Sequence, residues 1–138
     1  MTILVAYDGS APAQQALTYT AAQYPDEEIV LLRVIEAAGG STSAGLHLAR
    51  ETIKELRDEA ETELAADVDS LLDRDDLNLR METAVGQPAR VIVDFADEHD
   101  VDHIIVGNHG RSGVARVLLG SVAEKVIRRS PVPVTVVR

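Results

Sequence analysis

Short apolar runs alternate with longer segments of helical periodicity along the whole chain, and this alternation limits the folds that the chain can adopt. Residues 3–7 (ILVAY) and 28–35 (EIVLLRVI) are apolar runs too short to be helices, so each is predicted to be a strand buried on both faces. Strands of this kind are typical of parallel sheets covered by helices. A parallel sheet is therefore the first hypothesis.

Segments with a helical repeat separate the strands. Ser10 is predicted to cap a helix that has Pro12 in its first turn and ends near Tyr24. Between residues 46 and 71 apolar side chains recur every three or four positions, which predicts a long surface helix with an acidic outer side. A third helix is predicted to open at Pro88.

The second half of the chain continues the alternation. Residues 77–83 alternate apolar and polar side chains, which indicates a strand near a sheet edge, and residues 102–107 (DHIIVG) are predicted to form a buried strand. A fourth helix is predicted from Ser121 to about Arg129. The final run, VPVTVVR, contains Pro133, which cannot donate a ladder hydrogen bond, so this strand is placed at an edge.

The order of these elements predicts the fold class. Five strands alternate with four helices, so the sequence predicts one α/β domain over residues 1–138, a five-stranded parallel doubly wound sheet with helices on both faces. Ligands of such sheets bind beyond the carboxyl ends of the strands, where the strand order reverses. Asp8, Val34 and Gly107 all fall at predicted strand ends.

The amino-acid composition excludes several kinds of functional site and binding partner. The 138 residues include no cysteine, which excludes disulfides, thiolate metal sites and cysteine nucleophiles. The sequence has no recognisable signal peptide or membrane-spanning segment, so a cytoplasmic protein is expected. A formal net charge of −10 argues against binding to nucleic acid or anionic membranes, and such an acidic surface suits the high-salt cytoplasm of a halophile.

The segment that follows the fourth strand has the features of a phosphate site. Its spacing is Gly107-x2-Gly110-x9-Gly120-Ser121, with Arg111 inside it. Glycines let a backbone approach a phosphate closely, and the start of a helix offers free N–H donors. From residue 107 onward the chain has six basic residues and one acid, a net charge of +5 that is expected to attract anions.

A simpler interpretation of the same residues stays open. Gly107 and Gly110 can form an ordinary turn, and Ser121 with Glu124 has the spacing of a capping box for the last helix. Asp8 can act as a turn residue that hydrogen-bonds the amides following it. Binding and turn roles can coexist at Asp8.

The segment DHIIVGNHGRSGVARVLLGSVAEKVIRRSPVPVTVVR closely resembles the nucleotide-binding branch of the universal stress protein family. The family's G-x2-G-x9-G-[ST] motif is complete here. The stretches ILVAYDGS, VLLRVIE and VGQPARVIVDFADEHDVD are also similar to family sequence, so the resemblance spans the chain. It is weakest over residues 36–76.

The resemblance implies an ATP site at the switch point of a sheet with strand order 3-2-1-4-5, and Mg²⁺ beside the phosphates is chemically reasonable. Ala6, Tyr7 and Asp8 match positions that line adenine and ribose, and Val34 matches the position whose backbone reads the adenine edge. Val106 and Gly107 match the wall beside the ribose. Gly110, Gly120, Ser121 and Val122 match the phosphate cradle, and Arg111 is compatible with the motif. Where the family often has a hydroxyl after Val122, this chain has Ala123.

The implied function is nucleotide-dependent conformational or partner switching in a stress response. No catalytic residue is assigned, and slow ATP hydrolysis or self-phosphorylation is the most chemistry expected. The apolar edge strand VPVTVV predicts a homodimer formed by antiparallel pairing, which the resemblance also implies. The alternative is a dimeric interaction protein of the same fold that binds no nucleotide.

Other classes fit the residues less well. A phosphoacceptor receiver domain needs an aspartate at the end of the third strand, where this chain has residues 83–85 (TAV). A flavodoxin needs a hydroxyl-rich loop after the first strand, where the chain has DGSAP, and the P-loop motif is absent. His99 and His103 straddle a helix end and a strand start, so no metal site is predicted there.

Overall fold

A computed structural model of the protein describes residues 1–36, 43–72, 77–108 and 120–138. Within these residues the strands and helices follow the predicted order. They are β1 (Thr2–Tyr7), α1 (Ala11–Gln23), β2 (Glu28–Ile35), α2 (Ser43–Leu71), β3 (Leu79–Val85), α3 (Pro88–Glu98), β4 (His103–Gly107), α4 (Ser121–Arg129) and β5 (Val134–Val137). The third strand begins two residues later than predicted and continues to Val85.

The strands form one parallel sheet in the order β3-β2-β1-β4-β5, so the predicted fold class and strand order are confirmed. The central strand β1 pairs with β2 from Thr2↔Glu28 onward and with β4 from Ile3↔His103 onward. Because both edges and both faces of β1 are covered, Ile3, Leu4 and Val5 are fully buried. This central position explains why residues 3–7 carry apolar side chains without alternation.

The two faces of the sheet pack against different pairs of helices. Alternate residues of β1 point to opposite faces, as in any strand. One face, with Ile3, Val5 and Tyr7, packs against α1 and α2 through Ala16, Leu17, Leu64 and Val68. The other, with Leu4 and Ala6, packs against α3 and α4 through Ile92, Ala96, Ala123 and Val126. The doubly wound arrangement therefore has two separate cores.

Helix α1 begins as predicted. Ser10 is its N-cap, and the Ser10 hydroxyl accepts a hydrogen bond from the Ala13 N–H at 3.3 Å. The helix ends at Gln23, and the N–H of Tyr24 donates to the Thr20 carbonyl. The start of α1 is thus closed by a side chain.

Helix α4 begins differently, and the predicted capping box is wrong. Gly120 is the N-cap, with φ −60° and ψ 154°, and its carbonyl accepts the Glu124 N–H at 2.9 Å. The N-cap residue makes no side-chain cap hydrogen bond, and the Glu124 carboxylate pairs with Arg128 at 2.8 Å. Ser121 is already the first helical residue, so a box in which it is the cap would begin one position too late.

Helix α2 is the longest element, with 29 residues. Its buried positions Ala60, Leu64 and Val68 recur every four residues and lie on the sheet. Within the ranges that the structure describes, no helix is both long enough and apolar enough to cross a membrane.

Candidate functional site

A cavity of about 690 Å³ lies at the carboxyl ends of β1, β2 and β4. All of the predicted site residues that the structure describes line it: Ala6, Tyr7, Asp8, Val34, Val106, Gly107, Gly120, Ser121 and Val122. Gly110 and Arg111 lie outside the described residues. A volume of this size is typical of a small-molecule site.

The topology explains why the cavity lies at this point. After β1 the chain turns to the face covered by α1, and after β4 it turns to the face covered by α4. The two connections diverge from adjacent parallel strands, so a crevice opens between them. This is the switch point at which the sequence placed the site.

Asp8 is the first residue after β1, and its carboxylate is held by the turn that leads into α1. Its Oδ1 accepts hydrogen bonds from the Ser10 N–H at 3.0 Å and from the Ser10 hydroxyl. The turn role considered for Asp8 is therefore present. Asp8 also lines the cavity, so its carboxylate is held in a defined place at the rim.

Gly107 is required for close packing of β4 against α1. A Cβ at this position would lie 2.4 Å from the carbonyl carbon and oxygen of Pro12 and 2.9 Å from the Ala13 nitrogen. The obstacle is backbone, which cannot rotate away. The sequence placed Gly107 beside a ribose, and the structure adds a reason within the fold: the glycine lets the first turn of α1 approach the cavity.

Asn108 joins the two ends of the glycine-bearing segment. Its Oδ1 accepts a hydrogen bond from the Gly120 N–H at 3.1 Å, and its own N–H donates to the Val137 carbonyl at 2.8 Å. The sequence analysis gave this residue no role. Its position directly after a strand and before the glycines is the only signal that could have suggested one.

The start of α4 is a set of hydrogen-bond donors at the cavity. The first N–H groups of a helix have no partner within the helix, and they carry a partial positive charge. At α4 these groups include those of Ser121, Val122 and Ala123, and the N-cap residue Gly120 has no side chain that could accept from them. The Ala123 methyl group is 3% exposed and packs in the core, so this position offers the cavity its backbone alone.

The part of the cavity lining that the structure describes is mostly acidic. Its described lining contains four carboxylates, those of Asp8, Glu36, Glu59 and Glu63, and one guanidinium, that of Arg33. The described bases of the last quarter, Lys125, Arg128, Arg129 and Arg138, are not among the lining residues, because they lie along α4 and beyond it. In the described part of the site, the groups that can attract anions are the helix N–H groups and Arg33, whereas Arg111 and Arg116 of the last quarter lie outside the described residues.

Helix α2 contributes a wall that the sequence analysis missed. Leu56, Glu59, Ala60 and Glu63 line the cavity from this helix, and Ile92 lines it from α3. The apolar repeat of α2 was visible in the sequence. Which of its turns would cross the sheet and which would reach the cavity was not.

The side chain of Tyr7 ties the end of β1 to α2. The Tyr7 hydroxyl donates a hydrogen bond to Asp67 Oδ2 at 2.7 Å, and the ring is 4% exposed. Burial, followed by the hydrogen bond to Asp67, raises the pKa of Tyr7 well above its usual value. Tyr7 lines the cavity while its hydroxyl is engaged in holding the helix.

The two histidines next to the fourth strand have separate partners. The His99 ring stacks on Phe95, with centroids 3.9 Å apart, while His103 Nε2 lies 2.7 Å from the Thr135 hydroxyl. In the part of the chain that the structure describes, no three His, Asp or Glu side chains are grouped so as to hold a metal ion.

Comparison with known sequences identifies relatives along the full chain. A family model for the universal stress protein family matches residues 1–138. A universal stress protein of Methanocaldococcus jannaschii is 32% identical over 140 residues, which cover 99% of this chain and 81% of that protein. Universal stress protein YxiE of Bacillus subtilis is 33% identical, with 99% of this chain and 97% of that protein covered.

Solved structures agree with this result. Universal stress protein UspA from Lactobacillus plantarum superposes with a TM-score of 0.82 at 26% identity, covering 100% of this chain and 97% of that one. A universal stress protein from Archaeoglobus fulgidus in complex with dAMP gives 0.66 at 26% identity, covering 100% and 98%. Another, in complex with cAMP, gives 0.61 at 27% identity, covering 100% and 96%.

Proposed function

The chain belongs to the universal stress protein family, and from this premise we propose that it binds an adenine nucleotide, ATP first among them, and acts as a nucleotide-dependent switch in a stress response. The observation that carries the proposal is the start of α4 at the edge of a cavity of about 690 Å³, where the N-cap residue is Gly120 and makes no side-chain cap hydrogen bond. Backbone N–H groups at the start of a helix are well suited to phosphate. The dAMP and cAMP complexes of the related proteins support the nucleotide class.

Under this proposal each part of the cavity contacts a different part of the nucleotide. The Val34 backbone contacts the edge of adenine, and the Asp8 carboxylate accepts hydrogen bonds from the ribose hydroxyls. The N–H groups at the start of α4 bind phosphate, beginning at Ser121. Asp8 suits its role because Ser10 already fixes the orientation of the carboxylate.

We further propose that ATP enters as its Mg²⁺ complex. The four carboxylates in the described lining would repel a bare triphosphate, and a divalent cation on the phosphate oxygens reduces that repulsion. ATP is expected to bind more tightly with Mg²⁺ than with a chelator, whereas AMP should show little difference.

The side chains that line the described part of the cavity fit slow ATP hydrolysis, or none, better than rapid hydrolysis. The chain has two lysines, Lys54 and Lys125, and neither is among the described lining residues. Fast phosphoryl transfer in P-loop enzymes uses a lysine on the phosphates. The role of a switch requires only that bound and free forms differ in shape or in their partners.

Calorimetric titration of nucleotide-stripped protein with ATP, ADP, AMP and cyclic AMP tests the proposal. Heat of binding is expected for ATP, and Gly120→Val should weaken it by about thirtyfold or more, because a branched side chain would project where phosphate approaches. Ala22→Val, on the exposed side of α1, is the matched control and should bind as wild type. Absence of heat for every nucleotide would remove the proposal, and tight binding by Gly120→Val would place the site elsewhere.

We also propose a homodimer formed through β5. This strand pairs with β4 alone in the described sheet, and its four residues are only partly buried. An apolar edge strand is commonly covered by a second copy in antiparallel pairing. Sedimentation velocity should give a dimer at micromolar concentration, and a monomer there would contradict this part of the proposal.

A further inference from the structure

One face of α2 forms a wall of the cavity. Leu56, Glu59, Ala60 and Glu63 all line it. The last three lie three, four and seven positions after Leu56, so the four residues share one side of the helix. The wall is therefore a continuous surface of two turns.

The same side of α2 changes from buried to exposed where it reaches the cavity. Val68, Leu64 and Ala60 are 0%, 2% and 6% exposed, whereas Leu56, one turn further, is 41% exposed. Val68 and Leu64 pack on the sheet. Leu56 instead presents an apolar side chain to the cavity, where covering it would be favourable.

Contacts elsewhere on α2 hold this wall in place. Asp67 accepts the hydrogen bond of Tyr7 at 2.7 Å, and Glu61 accepts one from the Thr83 hydroxyl at 3.4 Å. These contacts come from β1 and β3, on either side of β2. The two contacts anchor the part of α2 that directly follows Leu56 to the sheet, and anchoring of this kind lowers the cost of ordering a binding surface.

The charges around Leu56 indicate which part of a nucleotide it would meet. Glu59 and Glu63 lie on the same wall and outnumber the one guanidinium of the described lining, that of Arg33, so the net charge on this side repels phosphate. The N–H donors that suit phosphate belong to the start of α4, on the other face of the sheet. An uncharged aromatic base has flat apolar faces and amino groups that can donate to carboxylates, so it matches the α2 wall.

We propose that Leu56 determines affinity for the base: its side chain packs on one face of the purine ring, while Ile92 of α3 lines the cavity from the opposite face of the sheet. The inference rests on the proposed nucleotide binding and adds to it a residue and the ligand group that it contacts. It also makes α2 the helix that responds to the base. A bound purine joins α2 to α3 across the end of β2.

Titration calorimetry with ATP on three variants of the full chain tests this. Leu56→Ala should raise the Kd about 5- to 30-fold, because the ring loses its apolar contact, and Leu56→Met should stay within about threefold of wild type. Ile127→Ala is the matched control, since Ile127 is 42% exposed on α4 and is not a lining residue; it should leave the Kd unchanged. Hydrogen exchange over residues 52–63 should slow on ATP binding in wild type and much less in Leu56→Ala.

The outcomes separate this inference from the function on which it rests. If wild type binds no nucleotide, the proposed function fails and the inference fails with it. If wild type binds ATP and Leu56→Ala binds equally well, or if Ile127→Ala weakens binding as much, the inference alone is overturned. If Leu56→Ala does not fold, Leu56→Gln takes its place, because it keeps the size of the side chain and removes its apolar character. Wild-type affinity for ATP in Leu56→Gln would also overturn the inference.

Discussion

Two of the helices that begin beside the cavity, α1 and α4, have starts that are built in opposite ways. At α1 the Ser10 hydroxyl accepts the Ala13 N–H and also binds Asp8, so a side chain of the protein satisfies one of the first donors of the helix. At α4 the cap is Gly120, which has no side chain to offer. The difference teaches that a glycine at the N-cap leaves a helix start without the acceptor that a serine provides at the same position.

The largest expected effect concerns the glycine that brings these two starts together. Gly107→Ala should lower the free energy of unfolding by about 2–4 kcal/mol, because its Cβ would meet the Pro12 backbone at 2.4 Å. Gly120→Ala should cost less than about 1 kcal/mol, since φ −60° and ψ 154° are open to alanine. Urea denaturation followed by circular dichroism measures both, and equal losses would contradict the assigned packing role of Gly107.

The second-largest effect is expected at Tyr7, the last residue of β1, the strand that leads into α1. This effect on stability depends on pH. Tyr7→Phe should cost about 1–2 kcal/mol at pH 7 through loss of the hydrogen bond to Asp67. Because the pKa of Tyr7 is raised in the folded protein, its proton is held more tightly there than in the unfolded chain. The advantage of wild type over Tyr7→Phe is therefore complete below pH 10 and is lost as the pH rises beyond it.

Urea titrations of wild type and Tyr7→Phe at pH 7, 9 and 10.5 measure this difference directly. If the difference in free energy of unfolding between the two proteins stayed constant across this pH series, the pKa of Tyr7 would be the same in the folded and unfolded states, contrary to the prediction. Tyr19→Phe serves as the control, since Tyr19 is 36% exposed and should show no comparable gap at pH 7.

The third prediction compares the two serines at the helix starts. Ser10→Ala should lower stability by about 1 kcal/mol through loss of the cap, whereas Ser121→Ala should change it by less than about 0.5 kcal/mol. Thermal unfolding of the ligand-free proteins decides between them. A cost at Ser121 as large as that at Ser10 would restore the capping box that the structure rejects.

The smallest expected effect belongs to Asn108. Asn108→Ala should cost about 0.5–1 kcal/mol, because the Gly120 N–H loses its partner at 3.1 Å. Asn78→Ala, at an exposed position before β3, is the control. If the Tm of Asn108→Ala matched that of the control, the bond to Gly120 would contribute nothing measurable to the folded state.

Much of the fold follows from local patterns. Residues 3–7 were correctly predicted to form a strand buried on both faces, since β1 has neighbours on both edges and both faces. Pro133 correctly indicated that the last strand lies at an edge of the sheet. Ser10 was identified as a cap because its contact to Ala13 lies within three residues. Features that depend on residues close together in the sequence could therefore be predicted from the sequence alone.

The errors and omissions arise where one residue has two competing partners or where the packing of whole elements decides its place. Glu124 had the spacing of a capping box, but Arg128 lies one helical turn further and takes its carboxylate. Leu56 belongs to the same apolar repeat as Leu64, and only the place where α2 crosses the sheet separates a core residue from a cavity residue. The anion attraction predicted for the last quarter stays a prediction, because two of its six basic residues, Arg111 and Arg116, lie outside the described residues.

The hydrogen bond between Asn108 and Gly120 has a consequence for how such a protein can diversify. It links the residue that follows β4 directly to the residue that precedes α4, twelve positions further along the chain. Substitutions that keep Asn108 and Gly120 keep this link between the strand end and the helix start. Changes elsewhere in the cavity that alter ligand preference are therefore expected to leave it in place.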